Sequence, residues 1–402
     1  MHIEELNREM IESARSKFSN LHMLEPGNVI WKGFDAVKRH YFAPTLYEEH
    51  DNDIEEYILN YNDPQTDILR KIYTDRPIAV LMEKGNVIST SSQPFVMAAM
   101  LSDGHADTDK SVLEIGTGSG YNAAVLAEIT GSTDNVTTVE IGRTVSRFAG
   151  ENLQRSGYGD LDVINADGGR GYEENAPYDS IIVTCGAPEI PFADQLKEGG
   201  YIALPLVSRG METLTSMQRI DNSLFRGTMS IFVRFLHFEG VYSDKNQFSK
   251  RVGALQRLIE GHAERSSSLE NQLSDIMLDK NADMKSRIDR MNFQFYLAVS
   301  NPNAMLYESD RDGFESGYAI WNRTGGVREM GFTVMFRDRI LKWGSEKSSE
   351  SLSRSYSEWI DLGKPGLEDY TVYFSRDKGN MPAGCRNYIE RKNGITWYEI
   401  NT

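Results

Sequence analysis

The stretch VLEIGTGSGYNAAVLAEITG, from Val112 to Gly131, limits what this chain can fold into more than any other. An apolar strand, Val112 to Ile115, is closed by Gly116, Gly118 and Gly120, and an Ala-rich helical run, Ala123 to Ile129, follows. The order is strand, tight turn, helix. Glycine lets the backbone turn sharply and lets a ligand approach it, and the first turn of the helix leaves N–H groups without intrahelical partners. A nucleotide site of some kind is implied.

The surrounding pattern says what kind of sheet carries that turn. From Ile78 to Phe238 short strands alternate with helices and glycine turns. After Val112–Ile115 the expected strands are Val136–Ile141, Leu161–Ala166, Tyr178–Cys185 and Tyr201–Leu206. Such alternation is the signature of an α/β fold with a doubly wound, largely parallel sheet. Two further strands, Thr213–Ile220 and Met229–Leu236, joined by DNSLFRG, read as an antiparallel hairpin ending it. Residues 1–75 read as a helical N-terminal segment, with Ile3, Leu6, Met10, Ile11, Ala14 and Phe18 on one face. Residues 76–240 form the nucleotide-binding domain, and residues 241–402 an added C-terminal α+β domain. In that last part, residues 250–290 read as helical, with Leu255, Leu258, Ile259, Leu269, Leu273, Ile276 and Leu278 as core contacts. FQFYLAV, YAIWN, FTVMF, YTVYF and ITWYEI read as strands, and KNG before Ile395 as a hairpin turn. Residues 346–357 read as a surface loop or a helix start.

Bulk properties narrow the class. At 402 residues the chain exceeds a single core of about 150 residues, so two or three domains are expected. No apolar run approaches the roughly 20 residues of a membrane span, and the acidic, helical start lacks the apolar core of a signal peptide. Two cysteines, Cys185 and Cys385, make no disulfide framework and suit a reducing, cytoplasmic setting. The formal net charge of −16 argues against nucleic-acid partners.

The identity of the nucleotide rests on acids placed after the glycines. The turn is Gly-x-Gly-x-Gly preceded by Glu114, whereas the dinucleotide fingerprint is G-x-G-x-x-G. Glu140 closes the next strand, where an acid accepts both ribose hydroxyls, as at NAD and S-adenosylmethionine sites alike. Asp167, followed by Gly168, closes the third, beside the expected adenine edge. Each acid alternatively caps the helix that follows. E-x-G-x-G-x-G with these two acids is the pattern of class I S-adenosylmethionine methyltransferases, with their Rossmann-like sheet.

Four longer segments sharpen this. STSSQPFVMAAML (Ser89–Leu101), VLEIGTGSGYNAAVLA, ADGGRGYEENAPYDSIIVTCGAPEIP and QLKEGGYIALPLV resemble successive motifs of the protein-L-isoaspartate (D-aspartate) O-methyltransferase family. FDAVKRHYFAP (Phe34–Pro44) is similar to that family's N-terminal entry segment. The resemblance implies S-adenosylmethionine as cofactor, Ser92 as the active-site serine, and Gly116, Gly118, Glu140, Asp167 and Gly168 at the cofactor. Thr117, Gly120 and Ile141 are counted with them, together with Glu114, and Ser91 and Gln93 with substrate contacts. Methyl transfer from a sulfonium to a carboxylate needs no general base, because an aspartate titrates near about 4. In-line positioning and exclusion of water are what the protein must supply. A Ser92 hydroxyl can orient the carboxylate, and it can also cap the helix begun by Pro94.

Competing chemistries fit worse. Base-modifying methyltransferases carry an Asn/Asp-Pro-Pro-aromatic step after the fourth strand, where this chain reads Thr184-Cys185-Gly186-Ala187-Pro188. Cys185 reads as a small core residue, and Trp321, Tyr373, Trp397 and Tyr398 as core aromatics. The TSSQP step, the GYNAAVLA helix and the long C-terminal region resemble a branch acting on ribosomally made peptides, including lanthipeptides, lasso peptides and graspetides. That resemblance implies a macrocyclic peptide precursor as substrate, an aspartate as methyl acceptor, and an aspartimide or isoaspartate as product. A general isoaspartyl repair methyltransferase with an accessory domain is the alternative, and a non-catalytic cofactor-binding scaffold the third reading. No metal, membrane or nucleic-acid partner is expected.

Overall fold

A computed structural model describes residues 3–50, 53–243, 263–278, 282–308, 316–322, 330–377, 379 and 381–401. The chain divides into two compact units. The first comprises Met1–Pro205, Leu214–Asn222 and Arg234–Tyr242, and the second Leu206–Thr213, Ser223–Val233 and Ser243–Thr402. The chain crosses from one unit to the other at 205/206, 213/214, 222/223, 233/234 and 242/243.

In the first unit, helix α1 (Ile3–Asn20) buries Leu6, Met10, Ile11, Ala14 and Phe18 along one stripe, and packs against α2 (Asn28–Ala36) and α4 (Pro94–Asp103). Gly33 of α2 lets the helix approach α5 (Tyr121–Thr130) closely: a Cβ there would lie 3.0 Å from Ile129 Cγ1. The N-terminal 75 residues are not helical throughout. Strands β1 (Thr45–His50) and β2 (Asp53–Ile58) pair antiparallel with Tyr47 opposite Glu56. They join β3 (Ile78–Glu83) and β4 (Asn86–Ser91) in a sheet of order β2-β1-β3-β4, while helix α3 (Thr66–Ile72) precedes β3. Tyr and Ile spaced along 47–58 favour strand, and pairing between segments far apart in sequence supplies what local periodicity does not show.

The parallel sheet follows as expected. Strands β5 (Val112–Ile115), β6 (Val136–Glu140), β7 (Val163–Asn165), β8 (Tyr178–Val183) and β9 (Leu196–Ser208) take the order β9-β8-β5-β6-β7. Every pair in that run is parallel. The order reverses at β5, so the crevice beyond its carboxyl end is the switch point where ligands bind such sheets. Helices α5 and α6 (Arg143–Ser156) connect β5 to β6 and β6 to β7. All four residues of β5 and all five of β6 are buried.

The second unit contains strands Leu224–Phe232, Tyr370–Ser375, Gly394–Ile400 and Asn387–Arg391, adjacent in that order and antiparallel. A separate antiparallel sheet is built from Ala304–Glu308, Ser316–Asn322, Gly331–Met335, Ile340–Gly344 and Glu264–Arg265. One expected strand is overturned: FQFYLAV lies inside the helix Met284–Ser300. That helix buries Phe293, Phe295, Tyr296, Leu297, Ala298 and Val299, so it has no polar face in this stretch to betray its period. Residues 347–361 form a helix burying Leu352, Tyr356 and Trp359. Leu269, Leu273, Ile276 and Leu278 are buried as expected. Leu255, Leu258 and Ile259 lie outside the described residues.

Candidate functional site

The glycine turn is held in shape from behind. Gly116, Gly118 and Gly120 have φ of +98°, +57° and +88°, in the left-handed region where a side chain is strained. A Cβ on Gly116 would lie 2.5 Å from Thr184 Oγ1. Glu114 is fully buried and does not face the open crevice. Its carboxylate accepts from Asn122 Nδ2 at 2.8 Å and from the Thr138 hydroxyl, which lies 2.6 Å from Thr117 Oγ1. Glu114 thus ties the turn, the start of α5 and β6 together. Burial pushes its carboxyl up to about 7, against the lowering effect of those hydrogen bonds.

Glu140 sits at the end of β6, across from the turn. Its Oε2 accepts from Gly118 N at 3.1 Å and its Oε1 from Gly142 N at 2.8 Å. Burial raises its pKa, and the two backbone donors oppose that shift. Asn165 Nδ2 donates to the carbonyls of Glu140 (2.8 Å) and Ile141 (3.2 Å), which fixes the backbone where Ile141 stands half-exposed. The capping alternative is therefore realised in part: Glu140 meets the N–H at the entry to α6 and also reaches the glycine turn.

Asp167 caps the short turn Gly168–Arg170 that follows it, the capping role weighed beside the adenine contact. Oδ1 accepts from Gly169 N at 2.9 Å, and Oδ2 from Val241 N at 3.0 Å. Gly168 is needed for packing, since a Cβ would lie 2.5 Å from Ile115 Cγ2. The segment bound by Asp167 also pairs with the end of β8: Gly186 N donates to Leu236 O at 2.9 Å and Phe238 N to Gly186 O at 3.3 Å. Phe238 and Tyr242 approach Gly169, so residues 236–242 wall the crevice on this side. Nothing local in the sequence pointed to that wall.

The fourth part of the site lies at the end of β4. Ser89 Oγ and Thr90 O are each 3.6 Å from the place a Cβ would take on Gly118, so β4 delivers Ser91–Gln93 beside the glycine turn. Ser89 Oγ is buried without a hydrogen-bond partner among the described residues. The Ser92 hydroxyl likewise has no partner among the described residues, while its carbonyl accepts from Arg39 Nη2 at 2.9 Å. Ser91 and Gln93 are already engaged: Ser91 Oγ accepts from Arg39 Nε at 3.2 Å, and Gln93 Nε2 donates to Asp75 Oδ2 at 3.2 Å. Their side chains shape the Ser92 loop. Arg39 and Asp75 escaped sequence reasoning, although Arg39 stands within the Phe34–Pro44 segment singled out there.

The residues suit a nucleoside-bearing cationic cofactor. A Cβ on Gly116 would clash with Thr184, and the left-handed backbone of Gly116, Gly118 and Gly120 strains any side chain. Glu140 keeps unused acceptor capacity, and the Ser89 hydroxyl, without a partner among the described residues, lies against the loop. Comparison with known proteins agrees. A family model described as Protein-L-isoaspartate(D-aspartate) O-methyltransferase matches residues 60–241. A protein named Protein-L-isoaspartate O-methyltransferase from Rhodopseudomonas palustris is 39% identical over 171 residues, covering 42% of this chain and 75% of the relative. One of the same name from Methanococcus maripaludis is 34% identical over 212 residues, covering 50% of this chain and 87% of the relative. A solved structure titled protein-L-isoaspartate O-methyltransferase is similar in fold, with a TM-score of 0.50 at 21% identity, covering 92% of this chain and 96% of its own.

Proposed function

Because this chain belongs to the protein-L-isoaspartate(D-aspartate) O-methyltransferase family, we propose that it methylates the free carboxylate of isoaspartyl residues in proteins or peptides, with S-adenosylmethionine as donor. The observation that carries the reading is the Ser92 hydroxyl, without a partner among the described residues at the end of β4, beside a glycine turn faced by Glu140.

The cofactor supplies an electrophilic methyl group on a sulfonium. Glu140 would hold the ribose hydroxyls, Ile141 and the 236–242 wall bound by Asp167 would hold the base, and Gly116, Thr117, Gly118 and Gly120 would admit the rest against bare backbone. Gly168 keeps the third-strand end close-packed, and Glu114 braces the turn from behind. Ser92 donates one hydrogen bond to the acceptor carboxylate. That group is already ionised at neutral pH, so no base is required, and rate comes from holding its free oxygen on the methyl carbon.

The second reading, an aspartate in a macrocyclic peptide precursor, is supported by the second unit, whose sheets and cores extend past the family-matched residues 60–241. A fold likeness covering 92% of this chain in a protein named for isoaspartate weakens that argument, because added length is then no mark of peptide maturation. One experiment separates the two. Three peptides of a single sequence are offered: linear with aspartate, linear with isoaspartate, and macrocyclic with aspartate. Mass spectrometry reads the gain of one methyl. The isoaspartyl peptide is expected to react fastest. Faster methylation of the macrocycle would replace this reading with the second.

A further inference from the structure

Arg39 is fully buried, yet among the described residues no carboxylate accepts from its guanidinium. Its acceptors are the Ser91 hydroxyl, five backbone carbonyls and, at 3.9 Å from Nη1, Met10 Sδ. Nη1 donates to Ile72 O (3.0 Å) and Thr74 O (2.6 Å), and Nη2 to Arg76 O (3.0 Å), Ser91 O (3.1 Å) and Ser92 O (2.9 Å). Burial lowers its pKa to about 10, so it remains a cation at neutral pH. A desolvated cation is expensive unless its donors are satisfied. Here they are satisfied by the backbone of two loops: residues 72–76, which enter β3, and residues 91–92, which leave β4.

Asp75 completes the arrangement from the opposite sign of charge. Its Oδ1 accepts from Phe95 N at 2.8 Å and its Oδ2 from Gln93 Nε2 at 3.2 Å, with Lys17 Nζ 2.5 Å from Oδ2. Helix α4 begins with Pro94, which has no N–H, and Gln93 makes no side-chain cap. Asp75 therefore acts as the cap from 20 residues away. The cation holds the carbonyls of Ser91 and Ser92, the anion holds the groups on either side of Pro94, and the Ser92 hydroxyl has no partner among the described residues.

We propose that Arg39, backed by Asp75, is a positioning residue for methyl transfer: it fixes the Ser92 backbone so that the hydroxyl meets the acceptor carboxylate in one orientation. The inference rests on the Ser92 reading above. Lysine cannot replace the guanidinium, since an ammonium has three donors on a flexible stem and cannot bridge both loops.

The test is a double-mutant cycle on the full chain, with a synthetic isoaspartyl peptide as substrate and S-adenosylhomocysteine affinity as a control. Arg39→Lys is expected to lower kcat at least tenfold while S-adenosylhomocysteine affinity stays within about twofold. In the Ser92→Ala background the same change should cost less than about twofold, because no hydroxyl remains to be oriented. Equal losses in both backgrounds, or affinity falling in step with kcat, would overturn the proposal and make Arg39 a purely structural group. Unchanged kcat in Ser92→Ala alone would overturn the Ser92 reading, and this proposal with it. Should Arg39→Lys not fold, Asp75→Asn, which keeps an acceptor for Phe95 N–H, takes its place in the cycle under the same criteria.

Discussion

Gly118 and Glu140 face each other across the switch-point crevice, the N–H of the glycine donating to Oε2 of the acid at 3.1 Å. The bond joins the turn after β5 to the end of β6 and leaves the carboxylate with capacity for further donors. Replacing Glu140 with Ala removes a charged acceptor from a buried position. S-adenosylhomocysteine binding should weaken by about 1.5–3 kcal/mol, the range for hydrogen bonds to charged groups. Calorimetry showing wild-type affinity would disprove the ribose assignment.

Ser92→Ala should act on chemistry and not on cofactor binding. The hydroxyl has no protein partner among the described residues, so its removal costs the fold little. One lost hydrogen bond to a carboxylate predicts a fall in kcat of roughly tenfold or more. A parallel loss of S-adenosylhomocysteine affinity would assign Ser92 to shaping the pocket instead.

Glu114 gives the stability a defined pH dependence. Its folded pKa, raised by burial to about 7, lies above the value of an unfolded glutamate. Between about pH 4.5 and 7 the folded chain therefore holds a proton that the unfolded chain has released. Its stabilising contribution is complete below that window and lost as pH rises through it, by up to about 3 kcal/mol. Glu114→Gln should flatten this part of the profile, measured as unfolding midpoints from pH 5 to 8. Identical slopes in both proteins would count against the raised pKa.

Gly240 has φ of +89°, and a Cβ there would fall against the Asp167 carboxylate. Gly240→Ala should strain the left-handed backbone by roughly 1–2 kcal/mol and loosen the Val241–Asp167 bond. A lower unfolding temperature together with weaker S-adenosylhomocysteine binding is expected. If only the unfolding temperature falls, the 236–242 wall does not contribute to the cofactor site.

Much of the glycine-turn crevice was legible because its signals are local. Gly116, Gly118 and Gly120 declare a left-handed turn wherever they occur, strands β5 and β6 are short apolar runs closed by turn residues, and Glu140 stands at the end of one of them. The FQFYLAV segment shows where local reading fails: with every face buried, a helix and a strand present the same apolar run, and only the packing around Phe293 to Val299 decides. The β1–β2 hairpin was missed for a related reason, since its pairing with β3 is not written in either segment alone. The Ser92 loop is the sharpest case. Its serine and the proline after it were visible, but Arg39 lies 53 residues from the carbonyl it holds, and Val241 lies 74 residues from Asp167. A buried arginine or aspartate has no pattern of its own in sequence. Which carbonyls and N–H groups satisfy it is decided only when the tertiary fold removes water and leaves those groups as the partners within reach.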